Sequence, residues 1–268
     1  MLHRPLLFAL LAAATWLGAF SLPLRAQGPV ALPAATPTAP APAATPSPEL
    51  QALEAALNAP GDAALEALLQ SGPGFDASEI TARRQALRSR FPDARWSVSP
   101  GPALADGRPT VRIQVSGSRR QAPFSFTLQA DQQVALAWRG ERITGEEILR
   151  DQAIVRSAGS DSDLPVRLQI PDAVLTGQRY DVDLIVDQPL QGAVTAGGLI
   201  ALTPQQVRSD AMPILPMGPL YGGGLFKTVQ APLSPGSQTW AMVLVHPKGM
   251  VSVSHRVRVV SDRASLTP

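Results

Sequence analysis

The chain has 268 residues, 45% of them hydrophobic, with 23 Lys and Arg residues against 21 Asp and Glu and no cysteine. The absence of cysteine excludes disulfide bonds, thiolate metal sites and a lipid-modified cysteine. The pI of about 9.5 does not indicate nucleic-acid binding, because the basic excess comes from Arg4 and Arg25, which lie in a predicted export signal.

Residues 1–26 have the layout of a secretory signal peptide. A basic start at Arg4 precedes an apolar run over residues 6–20 and a short tail ending at Ala26. The run is shorter than the ~20 residues that a transmembrane helix needs. We expect cleavage near Ala26 and export to the periplasm or cell envelope, or to the thylakoid lumen. An uncleaved membrane anchor is the alternative.

Residues 27–46 are rich in Pro, Ala and Thr and carry no charge. Such a composition cannot bury enough apolar surface to fold, so it predicts a disordered linker.

Residues 47–157 predict an α+β domain with short helices first and a curved antiparallel sheet after them. Ser47 with Pro48, Asp62, and Asp76 with Glu79 are start signals for three helices. Alternating runs then predict strands at residues 96–99, 110–116, 124–128 and 134–138, with a hairpin loop at 129–133.

This element order resembles the nuclear-transport-factor-2-like, cystatin-type cone fold. Enzymes of that superfamily place acid and base residues inside the cone. The faces predicted to turn inward here are apolar, with Val111, Ile113 and Val115 on one strand and Phe124, Phe126 and Leu128 on another. General acid–base catalysis needs a titratable group in a pocket. We therefore expect no enzyme, and small-molecule binding or a degenerate hydrolase or isomerase is the alternative for this domain.

Residues 158–164 predict a linker, residues 165–262 an all-β sandwich and residues 263–268 a disordered tail. Period-two alternation is clearest at 180–186, 239–246 and 251–260. Residues 247–250 predict a four-residue hairpin loop, which would place His246 opposite Val251 and His255 opposite Met242.

The turn at residues 233–236, followed by Trp240, resembles the corner before the penultimate strand of fibronectin type III and immunoglobulin-like sandwiches. In those folds the aromatic residue, usually Tyr, hydrogen-bonds nearby backbone. The resemblance implies an immunoglobulin-like β-sandwich for the C-terminal part. The stretches at 223–227, 231–233 and 236–240 (GGLFK, APL and GSQTW) also resemble uncharacterised secreted proteins of cyanobacteria, which implies an envelope or lumen location.

Four aspartates are calcium candidates, because Ca²⁺ prefers clustered oxygen ligands: Asp161, Asp163, Asp181 and Asp183. Exposed strand faces also often carry Asp. His246 and His255 are not expected to be neighbours and have no third ligand for zinc. The sequence therefore predicts no cofactor and no metal centre of known type.

Between residues 80 and 120 the sequence contains nine arginines and only two acidic residues. The candidates for an anion-binding surface are Arg83, Arg84, Arg88, Arg90, Arg119 and Arg120. The alternative is a solvated helix face neutralised by acids from elsewhere, such as Glu141, Glu146 and Glu147.

An irregular segment rich in Pro, Met and Gly covers residues 210–225, and long loops in compact domains are often functional. Its candidate partner-binding residues are Ile214, Leu215, Met217, Leu220 and Tyr221. The three glycines at 222–224 lack the features of a phosphate-binding loop and indicate a turn or a close approach of backbones.

The sequence as a whole predicts an exported, non-catalytic binding or scaffold protein of the periplasm or cell envelope. We expect it to contact another envelope protein, with no nucleic-acid partner and membrane contact only through an uncleaved signal. Small-molecule binding in the cone and binding of an anionic surface through the arginines are the two alternatives.

Overall fold

The computed structural model describes residues 47–122, 124–158, 164–187, 195–208, 213–220 and 223–267. This part of the chain is mostly β-strand in antiparallel pairing, with a few short helices. The predicted signal peptide and the predicted linker at 27–46 lie outside the described residues. None of the described helices combines the length and the hydrophobicity of a membrane-spanning segment.

The described residues contain four helices: α1 Pro48–Asn58, α2 Ala63–Leu68, α3 Ala77–Arg90 and α4 Pro204–Arg208. The first three begin where the sequence predicted. The Ser47 hydroxyl accepts a hydrogen bond from the backbone N–H of Leu50, and the Asp76 carboxylate accepts one from Ser78. These caps satisfy backbone donors that the first turn of a helix leaves unpaired.

The same described ranges hold twelve strands: β1 Arg95–Pro100, β2 Val111–Gln121, β3 Phe124–Arg139, β4 Arg142–Ala158, β5 Val166–Gln169, β6 Ala173–Leu175, β7 Arg179–Val186, β8 Thr195–Leu202, β9 Gly218–Leu220, β10 Gly224–Gln230, β11 Gly236–His246 and β12 Gly249–Val260. A single 3₁₀ turn, Arg263–Ser265, lies within the segment predicted as a disordered tail.

Nine of the strands form one sheet in the order β1-β2-β3-β4-β12-β11-β8-β9, and β6 pairs in parallel with the end of β12. The other three form a small sheet in the order β10-β7-β5. Strand β4 pairs with β12 from Asp151↔Arg256 to Ala158↔Gly249. Hydrogen bonds therefore join the last strand of the N-terminal half directly to the last strand of the C-terminal half.

The large sheet carries a hydrophobic core on each of its two faces. The helix core lies between the helices and strands β1–β4, and the sheet-to-sheet core lies under the small sheet. Ala153 and Val155 of β4 belong to the helix core, whereas Ile154 between them packs against the sheet-to-sheet core. Because successive side chains of a strand point to opposite faces, β4 contributes to both.

Two expectations about the first four strands were wrong. Residues 129–133 are not a loop but the middle of the 16-residue strand β3. Strand β4 was not recognised at all. Its register against β3 shifts twice, at Gln133/Val134 and at Ala137/Trp138, and such bulges break the period-two alternation by which a strand is recognised.

The predicted loop between the last two strands was also wrong. Pro247 and Lys248 form a two-residue turn, so His246 pairs with Gly249 and His255 with Trp240. The turn between these strands is therefore shorter than the predicted four-residue loop, and the pairing of the two strands is shifted accordingly. Gly249 has a φ of 152°, which residues with a side chain rarely adopt.

The corner at Trp240 differs from the expectation as well. The Trp240 indole N–H does not reach nearby backbone but donates to the Tyr180 hydroxyl at 2.9 Å, and that hydroxyl donates to Gln238 at 2.7 Å. The bond connects the large sheet to the small one. A buried indole N–H thereby gains the acceptor that burial requires.

Candidate functional site

A bulge in β4 turns two acidic side chains toward helix α3. Asp151 and Glu146 are five residues apart, an odd spacing that would place them on opposite faces of a regular strand. Gln133 pairs with Arg150 and Val134 with Ile148, so Leu149 is an extra residue in β4. The extra residue offsets the odd spacing, so the side chains of both acidic residues point to the helix side of the sheet.

Three polar residues form a row across that face. Gln132 of β3 lies directly opposite Asp151 of β4, which lies directly opposite Arg256 of β12. Directly opposed residues share a face of the sheet with their Cβ atoms ~5 Å apart. Gln132 and Asp151 are 1% and 5% exposed.

Helix α3 adds two charges from above the sheet. Arg83 forms an ion pair with Glu79 one turn earlier and interacts electrostatically with Glu146 and Asp151. We call the set of Glu79, Arg83, Gln132, Glu146, Asp151 and Arg256 the charged layer. Arg208, at the end of α4, is close enough to Arg83 to lower the Arg83 pKa, after the larger effect of burial.

Several polar atoms of the charged layer have no hydrogen-bond partner in the described part of the protein. They are both carboxylate oxygens of Glu146, both polar atoms of the Gln132 amide, and Nε and Nη1 of Arg256. Glu146 and Arg256 are half-buried as whole residues, but these atoms are out of contact with solvent. Buried polar atoms are nearly always hydrogen-bonded, so such a concentration requires an explanation.

Burial raises the pKa of Glu146 from its ordinary value of 4.5 to about 8, although Arg83 and Arg256 act in the opposite direction. Burial likewise lowers the pKa of Arg256. At neutral pH the Glu146 carboxyl therefore keeps its proton. The charges of Arg83 and Arg256 then balance those of Glu79 and Asp151, which explains how four charges share a buried layer.

The sequence did not identify this site. The strand that carries Glu146 and Asp151 was not recognised, and Glu146 was considered only as a counter-charge for arginines. The available signal was the mixture of charged and apolar residues at 146–156 (EEILRDQAIVR), which fits a strand only when a bulge is allowed. The apolar inner faces of β2 and β3 were predicted correctly and belong to the helix core.

The six arginines do not form one surface, which corrects the expectation. Arg84 is 2% exposed, pairs with Asp62 and donates to the Leu57 carbonyl at 2.8 Å. Arg88 donates to the carbonyls of Asn58 and Ala59. These two arginines satisfy the carboxyl end of α1, and Arg83 belongs to the charged layer.

The other three arginines lie at the far end of α3 and the end of β2. The guanidinium of Arg119 lies 5.6 Å from the ring centre of Phe91 and 4.9 Å from that of Phe126. Arg90 is close enough to Arg119 to lower the Arg119 pKa, after the larger effect of burial. Arg120 is exposed. Any anion-binding surface is thus reduced to Arg90, Arg119 and Arg120.

The described partner-binding candidates lie in β9 and in the segment just before it, at one edge of the large sheet. Ile214 and Met217 are 94% and 46% exposed, whereas Leu215 is half-buried and Leu220 packs against the sheet-to-sheet core. Tyr221 lies outside the described residues. Val245 of β11, 40% exposed, was not predicted. Among the glycines, Gly224 fits the expected close approach, since a Cβ there would lie 2.1 Å from the Leu184 carbonyl oxygen.

The calcium candidates are not assembled in the part of the chain that the structure describes. Asp181 and Asp183 lie on β7, where the Thr228 hydroxyl donates to Asp181 at 2.6 Å. Asp161 and Asp163 lie outside the described residues. No group of three His, Asp or Glu residues within the described ranges could hold a metal ion.

The two histidines are far apart, as expected. His246 lies at the end of β11, and its Nδ1 accepts a hydrogen bond from the Lys248 backbone N–H at 3.0 Å. His255 is 2% exposed, and its Nε2 lies 3.4 Å from both the Pro171 carbonyl and Asp172. Burial lowers the pKa of His255.

Residues 161–260 match a protein family described as a domain of unknown function, DUF8623. The match covers β5 to β12 and stops short of β4, with which β12 pairs. A search among curated proteins finds no match. The charged layer thus joins residues from inside the matched region, such as Arg256, to residues from outside it, such as Glu146.

Proposed function

We propose that this chain is an exported, non-catalytic binding protein whose small-molecule site is the charged layer. The observation that carries the proposal is that Glu146 and Gln132 bury polar atoms without hydrogen-bond partners in the described part of the chain. An unpaired buried polar group costs ~1–3 kcal/mol. A ligand that completed these hydrogen bonds would recover that cost on binding.

The proposal that the chain is exported rests on residues 1–26, whose layout is that of a signal peptide. The proposed location is the periplasm or cell envelope, with the thylakoid lumen as an alternative. The proposed linker at 27–46 would separate the folded part from a membrane if the signal stayed uncleaved.

We propose the two-part layout as an α+β unit at residues 47–157 and an immunoglobulin-like sandwich at 165–262. The strand order supports the second part. The small sheet has the order β10-β7-β5, and the facing strands have the order β6-β12-β11-β8-β9, an arrangement compatible with the two sheets of an immunoglobulin-like sandwich.

Native mass spectrometry of the exported chain tests the binding proposal with two matched variants. Gln132 and Gln133 are neighbours on opposite faces of β3, and Gln133 donates to the Thr110 hydroxyl. We expect a small co-purified mass on the wild-type chain and on Q133L, and its loss from Q132L. A bare wild-type monomer, or equal retention by Q132L, would contradict the proposal.

A second candidate function is contact with another exported protein at the β9 edge. Strand β9 ends the large sheet, so its outer edge has no neighbouring strand among those described. Ile214 and Met217 expose apolar surface beside it. An extended segment of the partner could add to this edge through main-chain hydrogen bonds and place apolar side chains on the patch.

Cross-linking in the envelope fraction tests this second candidate. We expect a defined cross-linked partner for the wild-type chain and its loss in the double variant I214D/M217D. The control is F226D, which changes an exposed aromatic residue on the small sheet. Equal loss in the control, or no cross-linked partner, would contradict a specific edge contact.

A further inference from the structure

We infer that the ligand of the charged layer carries a carboxylate or another small oxyanion, held between Gln132, Glu146 and Arg256. This inference rests on the proposed function of the layer as a binding site. It is drawn from the chemistry of the atoms that have no partner in the described protein.

The unpartnered groups are mainly hydrogen-bond donors. The Gln132 amide nitrogen offers two N–H groups, and Nε and Nη1 of Arg256 offer three more. A protonated Glu146 adds an O–H donor. The acceptors of the same cluster are fewer: the Gln132 amide oxygen, the second oxygen of Glu146 and the Asp151 carboxylate. A ligand rich in acceptor atoms and poor in donors therefore fits the site best.

Gln132, Glu146 and Arg256 belong to one cluster on the helix side of the large sheet. Gln132 and Arg256 flank Asp151 in the row across β3, β4 and β12. Glu146 interacts electrostatically with Arg256 and Asp151, so it belongs to the same cluster. A carboxylate has two oxygens that each accept more than one hydrogen bond, which matches donors arriving from different strands.

The charges also favour an anion. Arg83 and Arg256 balance Glu79 and Asp151, and Arg208 adds a positive charge beside Arg83. An ammonium group would bring only donors to a cluster of donors and would lie near three arginines. An anion accepts from Arg256 and strengthens the hold of Glu146 on its proton.

Three probes of similar size and different charge separate the ligand classes: propionate, propionamide and propylammonium. The readout is the NMR shift of the Gln132 side-chain amide and of the Arg256 Nε–H in the full chain. We expect propionate to shift both signals and the other two probes to shift them at least about tenfold more weakly, since hydrogen bonds between charged groups are the stronger ones.

Variants test the role of Glu146. The amide of E146Q can donate where the protonated acid donates, so E146Q should keep propionate binding within about threefold. Wild-type affinity should fall up to about tenfold per pH unit above pH 8, where Glu146 ionises, whereas E146Q should show no such fall. The control E147Q, an exposed neighbour on the other face, should behave like the wild type.

The outcomes distinguish the inference from the proposed function. Shifts caused by propionamide or propylammonium, but not by propionate, would overturn the oxyanion inference and leave the binding site in place. Loss of propionate binding in E146Q would also overturn the inference. No response of Gln132 and Arg256 to any of the three probes would contradict the binding site itself.

Discussion

Glu146 and Glu147 show how one strand position changes the chemistry of a carboxyl group. Glu147 is exposed and pairs with Arg108 at 2.9 Å. Glu146, one residue earlier, buries both carboxylate oxygens under α3 without a hydrogen-bond partner in the described chain. The difference in environment, rather than in residue type, raises the pKa of Glu146.

This difference predicts how stability depends on pH. The folded-state pKa of Glu146 is about 8, above its ordinary value of 4.5. Between these values the unfolded chain loses a proton that the folded chain keeps, so the free energy of unfolding falls as pH rises. The slope from this group is at most ~1.4 kcal/mol per pH unit. Urea unfolding from pH 4.5 to 8 should show it.

The variant E146Q isolates that effect. It cannot ionise, so its free energy of unfolding should exceed that of the wild type by an amount that grows from pH 4.5 to pH 8 and is constant above. E147Q should follow the wild-type curve. Parallel curves for E146Q and the wild type would show that Glu146 is not buried as described.

At the scale of elements, the connection between α1 and α3 depends on arginine rather than on apolar packing alone. Arg84 is nearly fully buried and joins the last carbonyls of α1 to Asp62. Its guanidinium also lies 5.9 Å from the ring centre of Trp96. From the sequence alone, the position of Arg84 in a run of arginines predicts an exposed charge.

The variant R84M should be strongly destabilised. It removes the donor of the Leu57 carbonyl and leaves the Asp62 carboxylate with the Gln85 amide as its remaining donor. Breaking a partly buried ion pair costs ~3–5 kcal/mol. R120M, which removes an exposed arginine, should change the free energy of unfolding by less than ~0.5 kcal/mol. Chemical denaturation compares the two. Similar small losses in both variants would contradict a structural role for Arg84.

The sequence predicted elements well where local chemistry defines them. Ser47 with Pro48, and Asp76, identified the starts of α1 and α3, and alternation identified β11 and β12. It did not predict β4, where bulges at Thr144 and Leu149 interrupt the alternation. The charged layer could not be predicted for the same reason, since Glu146 and Asp151 share a face only through the bulge. Pairing between β4 and β12 is long-range and leaves no local signal.

At the scale of the whole molecule, the joint between β4 and β12 couples the two halves. Met250 belongs to the helix core and Val251 beside it to the sheet-to-sheet core. Loss of either core removes the packing from one face of the same two strands. The two proposed parts should therefore not unfold independently.

Calorimetry of the exported chain should accordingly show one cooperative transition. Leu87 and Leu244 are both fully buried, one in each core. L87A and L244A should each lose ~2–5 kcal/mol and lower the midpoint of that single transition. Two separate transitions, each moved by only one of the variants, would show that the halves are independent domains.

The most direct test of the charged layer as a binding site is an NMR titration of the Glu146 side-chain carboxyl carbon, with and without propionate. We expect a pKa of about 8 for the protein alone and a higher pKa with propionate, because an anion beside the carboxyl favours its protonated form. A pKa near the ordinary 4.5, or one that propionate leaves unchanged, would contradict the charged layer as a binding site.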